Sequence, residues 1–435
     1  MVLKLYKYSD LTDIERERLC IRNPIADEEI LATCREVFRL VEAQGDHALR
    51  QLTKRFDHAD IDEIRIDPRE LQRATAAVSA NVLEALKEAA ANIREFHATQ
   101  LVGEGPLNVA EGVVCWRASR AIESVGLYVP AGTAPLPSTV LMLGIPAKLA
   151  GCRRVILCVP PRKDGSVAEV ILAAAQVAGI RHVFRVGGAQ AVAAMALGTE
   201  SIPRVLKIFG PGNRYVQTAK LLATHYGLAI DMIAGPSEVL VIADAAASAR
   251  VVAADLLSQA EHGADSQAVL VTDSPGLLDE VGRELDRQLQ DLPRRDLAGA
   301  SLRQSFAVLV GNLEEAIQFA NQYAPEHLIL NLAEPREWLS HVENAGSVFV
   351  GCWTPEVAGD YASGTNHTLP TSGLARHTSG VSVESFIKKV TFQELTRSGL
   401  QRLANTLGTL AGVEGLEGHA RAVRYRLEQS GGAGG

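Results

Sequence analysis

The chain has 435 residues, of which 47% are hydrophobic and 22% charged, and its formal net charge is −8. It is too long for one small domain and apolar enough to bury a large core. No long basic run argues for nucleic acid as a partner, and no apolar run approaches the roughly 18 uncharged residues of a membrane span.

The cysteines Cys20, Cys34, Cys115, Cys152, Cys158 and Cys352 form no C-x-x-C pair. They are expected to be reduced thiols, mostly filling the core, in a reducing compartment. Residues 1–19 are charged and lack an apolar stretch, so a cytoplasmic chain without a secretory leader is expected.

Between residues 27 and 56 the apolar positions Ile30, Cys34, Val37, Val41, Leu49 and Leu52 recur at helical spacing. Gly45 is expected to break this run into two helices. Residues 71–96 repeat the pattern. Short aliphatic runs then alternate with alanine-rich stretches. Strands are expected at 124–130, 155–159, 183–186 and 205–209, with helices at 138–150, 167–178 and 189–197. That alternation predicts a parallel sheet in an α/β domain. A second series follows, with strands at 239–243, 268–272, 307–310, 328–330 and 347–350. The turn at 233–237 (IAGPS) is the expected boundary. Beyond about residue 383 the strand pattern fades. Residues 385–410 and 415–429 are expected to be helical, and 431–435 (GGAGG) a flexible tail.

Several polar groups punctuate this pattern. Gln259 and His262 stand three apart at the end of a helical run, so they share a face and make half of a metal site. The alternative is a helix C-terminus capped by a left-handed Gly263. Glu326 and His327 are adjacent just before a strand and could divide base and water-activating roles; the alternative is a polar surface turn. The polar segment 359–371 carries Asp360 and His367 after a strand, where α/β sheets bind ligands. His419 alone reads as an exposed helix residue. Gly187-Gly188 and Gly210-Pro-Gly212-Asn213 each follow a strand and open a helix, where backbone N–H groups can face a pyrophosphate. Neither is the full G-x-G-x-x-G pattern, and no acidic residue is clearly placed to read a ribose. H-E-x-x-H, G-x-S-x-G and the P-loop are absent.

Taken together, these segments resemble the histidinol dehydrogenase family. The matching stretches are GLYVP at 126–130, GGAQ at 187–190, GPGN at 210–213, AGPSE at 234–238, SQAEH at 258–262, APEHL at 324–328, GDYASG at 359–364 and EGH at 417–419. They come in the family's order and span most of the chain.

The resemblance implies two successive NAD-dependent oxidations, from L-histidinol through L-histidinal to L-histidine, the last steps of histidine biosynthesis. It implies one Zn2+ per subunit held by Gln259, His262, Asp360 and His419. His327 would be the general base, and Glu326 would activate the water that attacks the aldehyde. Ser237, Glu356 and Glu414 match positions that contact the substrate, as do Gln259, His262, His327, Asp360 and His419. Tyr128, Gln190 and Asn213 match positions that contact NAD.

The implied fold is α/β, with two incomplete Rossmann-like domains of parallel sheet plus helical N- and C-terminal extensions. Residues 27–123 and 237–381 would form the larger domain with the metal and catalytic groups. Residues 124–236 would form the NAD domain, and 1–26 and 382–435 the helical, dimerising extensions. The family implies a homodimer with a shared active site, His419 coming from the partner subunit. One departure stands out: the family commonly reads Tyr-Val-Pro-Gly-Gly, whereas Ala131 here adds a methyl where the chain approaches the cofactor. The weighed alternatives are a paralogous zinc- and NAD-dependent dehydrogenase of another polar alcohol, and a zinc hydrolase that would not need NAD.

Overall fold

The structure, a computed structural model, describes residues 3–22, 27–101, 103, 105–131, 134–233 and 235–429. The expected tail at 431–435, Ala234 of the boundary turn and Gly132 beside Ala131 lie outside the described residues.

The second series of expected strands forms a six-stranded parallel sheet. Its order is Lys4–Lys7, Phe306–Leu309, Gln267–Thr272, Glu238–Ala243, His327–Asn331, Ser347–Val350. Strand Glu238–Ala243 is buried along its whole length because both faces of the sheet are covered. Val239, Val241 and Ala243 pack toward helices Ala249–Ala260 and Pro275–Asp291. Leu240 and Ile242, on the alternate positions, pack toward helix Leu313–Tyr323.

The first series forms a five-stranded parallel sheet in the order His182–Phe184, Arg154–Cys158, Ser124–Tyr128, Lys207–Phe209, Ala229–Ile230. The chain winds outward on both sides of Ser124–Tyr128, which places a switch point at its carboxyl end. Helix Glu28–Phe56 packs on one face with Gly188–Leu197 and Arg214–Thr224. Helices Pro68–Ala77 and Ala80–Ala98 pack on the other face with Pro137–Leu149 and Glu169–Val177. The early helices therefore cover this sheet, whereas the resemblance placed residues 27–123 with the other one. A doubly covered sheet needs helices on both faces, and the early helices supply them. Gly45 interrupts its helix as expected, at φ 51° and ψ −129°.

Residues 1–100 and 122–386 make up one compact unit, and 101–121 and 387–435 a second. The second unit holds an antiparallel sheet in the order Ile387–Leu395, Val113–Ala121, Leu107–Ala110, with helices Arg397–Val413 and Glu417–Glu428. This corrects two expectations. Residues 387–395 are strand, not helix, and the N-terminal extension contributes strand Lys4–Lys7 to the large sheet. Cys20, Cys34, Cys152 and Cys158 are buried, as core fillers should be, while Cys352 is exposed. Among the described residues no helix is long and apolar enough to cross a membrane.

The loop after strand Lys207–Phe209 depends on Gly210. Its φ is +129°, and a Cβ there would run into the carbonyl of Tyr128. A wholly buried ion pair grips the same residue. Lys220 Nζ donates to Gly210 O at 2.9 Å, and Gly210 N donates to Asp231 Oδ2 at 2.8 Å. Gly210→Ala is expected to destabilise the protein by about 1–3 kcal/mol through backbone strain. Denaturant melts of the two proteins would check this, and an unchanged midpoint would mean that the loop relaxes freely.

Candidate active site

A cluster of buried polar groups gathers at the amino ends of the six-stranded sheet. Glu326 immediately precedes strand His327–Asn331, and His327 opens it. Neighbouring strand Glu238–Ala243 begins at the same level. Glu238 N donates to Glu326 Oε2 at 3.0 Å, and His327 Nδ1 lies 3.2 Å from Glu238 O. A carbonyl can only accept, so Nδ1 carries the ring proton and Nε2 keeps its lone pair. That Nε2 is buried without a hydrogen-bond partner. Burial pushes the imidazole down to about 4, against the upward pull of Asp360, so the ring is neutral at pH 7.

Three carboxylates surround this imidazole. Glu326 Oε2 lies 3.7 Å and Glu356 Oε1 3.4 Å from Nδ1, and Asp360 Oδ1 lies 3.9 Å from Nε2. Burial holds the Glu326 carboxyl well above the usual carboxylate range, and neighbouring Glu238, Glu356 and Asp360 add repulsion. Burial also raises Glu356, with Asp360 and Asp255 adding to the effect. Arg22 is committed to Glu238, at 2.7 Å, with its guanidinium stacked 3.6 Å from the Tyr323 ring.

Helix Ala249–Ala260 carries Gln259, fully buried and with both amide atoms lacking a partner, three residues before His262. His262 follows the helix end and is half-exposed, its Nε2 4.0 Å from Asp360 Oδ2. Gly263 is not left-handed, so the simple capping alternative does not describe this helix end. Ligand atoms of His262, Glu356 and Asp360 lie within 4.8 Å of one another. The structure thus adds Glu356 to the groups within reach of one cation.

Asp360 was expected in a loop beyond a strand's carboxyl end. It lies instead in a short helix, Glu356–Tyr361, four residues after Glu356 and on the same face. This places Asp360 at the amino ends of the sheet. Ser237 directly precedes strand Glu238–Ala243 at this same end. Glu414 and His419 belong to the second unit, both exposed, Glu414 capping one helix and His419 in the first turn of the next.

His367 was noticed in the sequence without a role. Its Nδ1 donates to Asp360 O at 2.8 Å, and its Nε2 accepts from Thr139 Oγ1 at 3.1 Å. Glu238 was missed as a support for Glu326 and His327. A lone carboxylate opening an otherwise aliphatic strand was the available signal.

Beside the five-stranded sheet, Tyr128, Gln190 and Asn213 line one cleft of about 660 Å³, together with Ala131 and Gly188. Tyr128 Oη accepts from Gly188 N at 3.2 Å, at the start of helix Gly188–Leu197. Asn213 caps helix Arg214–Thr224 by accepting from Val216 N at 3.1 Å, which leaves its Nδ2 as a donor.

Two parallel sheets, a cleft at the switch point of one and a buried acid–imidazole cluster at the other mark an α/β enzyme, and its family match makes it a dehydrogenase. Residues 21–427 match the model of the family described as histidinol dehydrogenase. The chain belongs to that family. The histidinol dehydrogenase of Xanthomonas euvesicatoria pv. vesicatoria is 54% identical over 388 residues, 89% of this chain and 90% of that one. That of Bacteroides fragilis is 49% identical over 428 residues, 98% of this chain and 99% of that one. The crystal structure of histidinol dehydrogenase from Elizabethkingia anophelis superposes with a TM-score of 0.95 at 46% identity, covering 98% of each chain.

Proposed function

We propose that this chain is a cytoplasmic enzyme that oxidises L-histidinol through L-histidinal to L-histidine in two NAD-dependent steps. One Zn2+ per subunit would be held by Gln259, His262, Asp360 and His419, the last from a second copy. The observation that carries the reading is the set of partnerless buried atoms on Gln259, His327 and Glu356, together with Glu326, Glu356 and Asp360 gathered around the His327 imidazole. Orphaned buried polar atoms are costly, and clustered buried carboxylates call for a cation. Amide, imidazole and carboxylate donors suit zinc with room for a substrate. Zinc held there would supply a Lewis acid that anchors and orients the substrate.

The protein's own groups carry the proton traffic. His327 takes the alcohol proton at its free Nε2 as hydride leaves for NAD. Glu326, held by Glu238 N, accepts a proton from the water that adds to the aldehyde. His327 then deprotonates the hydrate in the second oxidation. Ser237, Glu356 and Glu414 hold the substrate. Tyr128, Gln190 and Asn213 hold the dinucleotide, with its pyrophosphate at the N-terminus of helix Gly188–Leu197. The active form is a homodimer, in which His419 of the partner subunit completes each site. Monomers that kept full zinc and activity on dilution would overturn that part of the reading.

Zinc-loaded protein given L-histidinol and excess NAD should form two NADH per histidinol consumed, and a chelator should abolish this. No NADH from histidinol, in folded and metal-loaded protein, would assign the site to another alcohol.

A further inference from the structure

The cleft beside the five-stranded sheet contains a carboxylate that its sequence neighbourhood does not advertise. Asp57 caps the C-terminus of helix Glu28–Phe56 and lines the cleft with Tyr128, Gln190 and Asn213. Its Oδ2 accepts from Gln190 Nε2 at 3.3 Å. Among the described residues no ion pair neutralises it. His58 is the nearby group that draws its carboxyl down, and burial, the larger effect, lifts it to about 6. A half-buried acid with spare acceptor positions is therefore presented to whatever fills the cleft.

Pro130 and Ala131 also line the cleft. Helix Pro137–Leu149, which follows them in the sequence, carries Thr139, and Thr139 touches His367 of the catalytic cluster. A dinucleotide that delivers its nicotinamide to that cluster would therefore keep its adenosine half away from Pro130 and Ala131. Phe56 and Tyr215, 43% and 44% exposed, line the cleft together with Val37 and Arg55. Exposed rings are platforms for a purine, so Asp57, next to Phe56, falls beside the sugar of the adenosine half.

We infer that Asp57 sets the choice between NAD and NADP, its carboxylate accepting the adenosine ribose hydroxyls and repelling a phosphate at the 2′ position. The inference rests on the cleft being the dinucleotide site. Carboxylate oxygens accept both hydroxyls of a vicinal diol, whereas a phosphate beside a carboxylate is a like-charge clash of several kcal/mol. Arg55 lines the same cleft, so with the acid removed a 2′-phosphate would meet a guanidinium and no opposing carboxylate.

The test compares kcat/KM with NAD and with NADP for the zinc-loaded wild type, Asp57→Asn and Asp57→Ser, with Asn213→Ala as a probe of the cleft. Asp57→Asn preserves shape and Asp57→Ser removes the acid by another route, so a folding defect in one leaves the other informative. The preference for NAD over NADP should fall at least about tenfold in the Asp57 variants, through the KM of the dinucleotide. The KM for histidinol should move less than about twofold. A preference within about twofold of wild type, while Asn213→Ala raises the KM for NAD, would overturn the inference and leave the cleft standing. An unchanged KM for NAD in all three variants would remove the cleft reading and the inference with it.

Discussion

Replacing His327 with asparagine is expected to lower histidinol turnover by about 10²–10⁴-fold, the usual contribution of a positioned general base. The expectation rests on geometry. Nδ1 is tied to Glu238 O at 3.2 Å, and Nε2 is the partnerless nitrogen inside the cluster. Asparagine can keep the bond to the carbonyl but has no lone pair of comparable basicity to offer. Zinc content and the KM for NAD should hardly change, since neither depends on that nitrogen. Steady-state kinetics with a zinc assay would decide it. A tenfold rise in the KM for histidinol with kcat intact would make His327 a binding residue instead. Glu326→Gln separates the two oxidations. With an aldehyde trap present, NADH per histidinol should drop from two toward one, because hydration is the step that loses its base.

Loss of the metal is expected to have an effect of similar size, on both stability and rate. Without a cation, burial favours the protonated forms of Glu326 and Glu356 beside a neutral imidazole. Zinc at about 1,000 times its Kd should stabilise the fold by about 4 kcal/mol. His262→Asn should weaken zinc binding by at least about 100-fold, since even groups that merely orient a ligand are worth 10–100-fold. Metal analysis after dialysis and thermal melts with and without zinc would check both. A His262→Asn protein that retained stoichiometric zinc would show that Glu356, within reach of the same point, is a sufficient replacement.

The two parallel sheets were legible because unbroken aliphatic runs such as residues 238–243 have one use in a chain that alternates them with helices. The antiparallel pairing of Ile387–Leu395 with Val113–Ala121 was not. Its sequence, IKKVTFQEL, mixes lysine, glutamine and glutamate into a mostly exposed strand, and its partner is more than 260 residues away. Side-chain pairing across the strands overrode local preference there. Gln259 and His262, and Glu326 and His327, stood out as polar pairs, but each pattern fits a helix end or a surface turn equally well until the cluster they join is seen. The spacing of Glu356 and Asp360 also held a signal, but it is readable only once those residues are known to be helical. Asp57 could not be placed, because it comes from a helix end far from the glycine turns that mark the cleft. Which sheet helices Glu28–Phe56, Pro68–Ala77 and Ala80–Ala98 cover was not legible either, because periodicity shows that a helix has an apolar face, not what packs on it.

The placement of the acid–imidazole cluster at the amino ends of its sheet has an electrostatic consequence. In a parallel α/β layer the helices run opposite to the strands, so helix Ala249–Ala260 points its C-terminus toward Gln259, His262 and the carboxylates. Its last carbonyls add partial negative charge worth roughly half an electron. Helices Gly188–Leu197 and Arg214–Thr224 present their N-termini, with partial positive charge, to the neighbouring cleft. One layer thus offers a negative pole at the site proposed for the cation and substrate, and the other a positive pole at the site proposed for the pyrophosphate. The backbone alone, before any side chain is counted, already sorts the two ligands by charge.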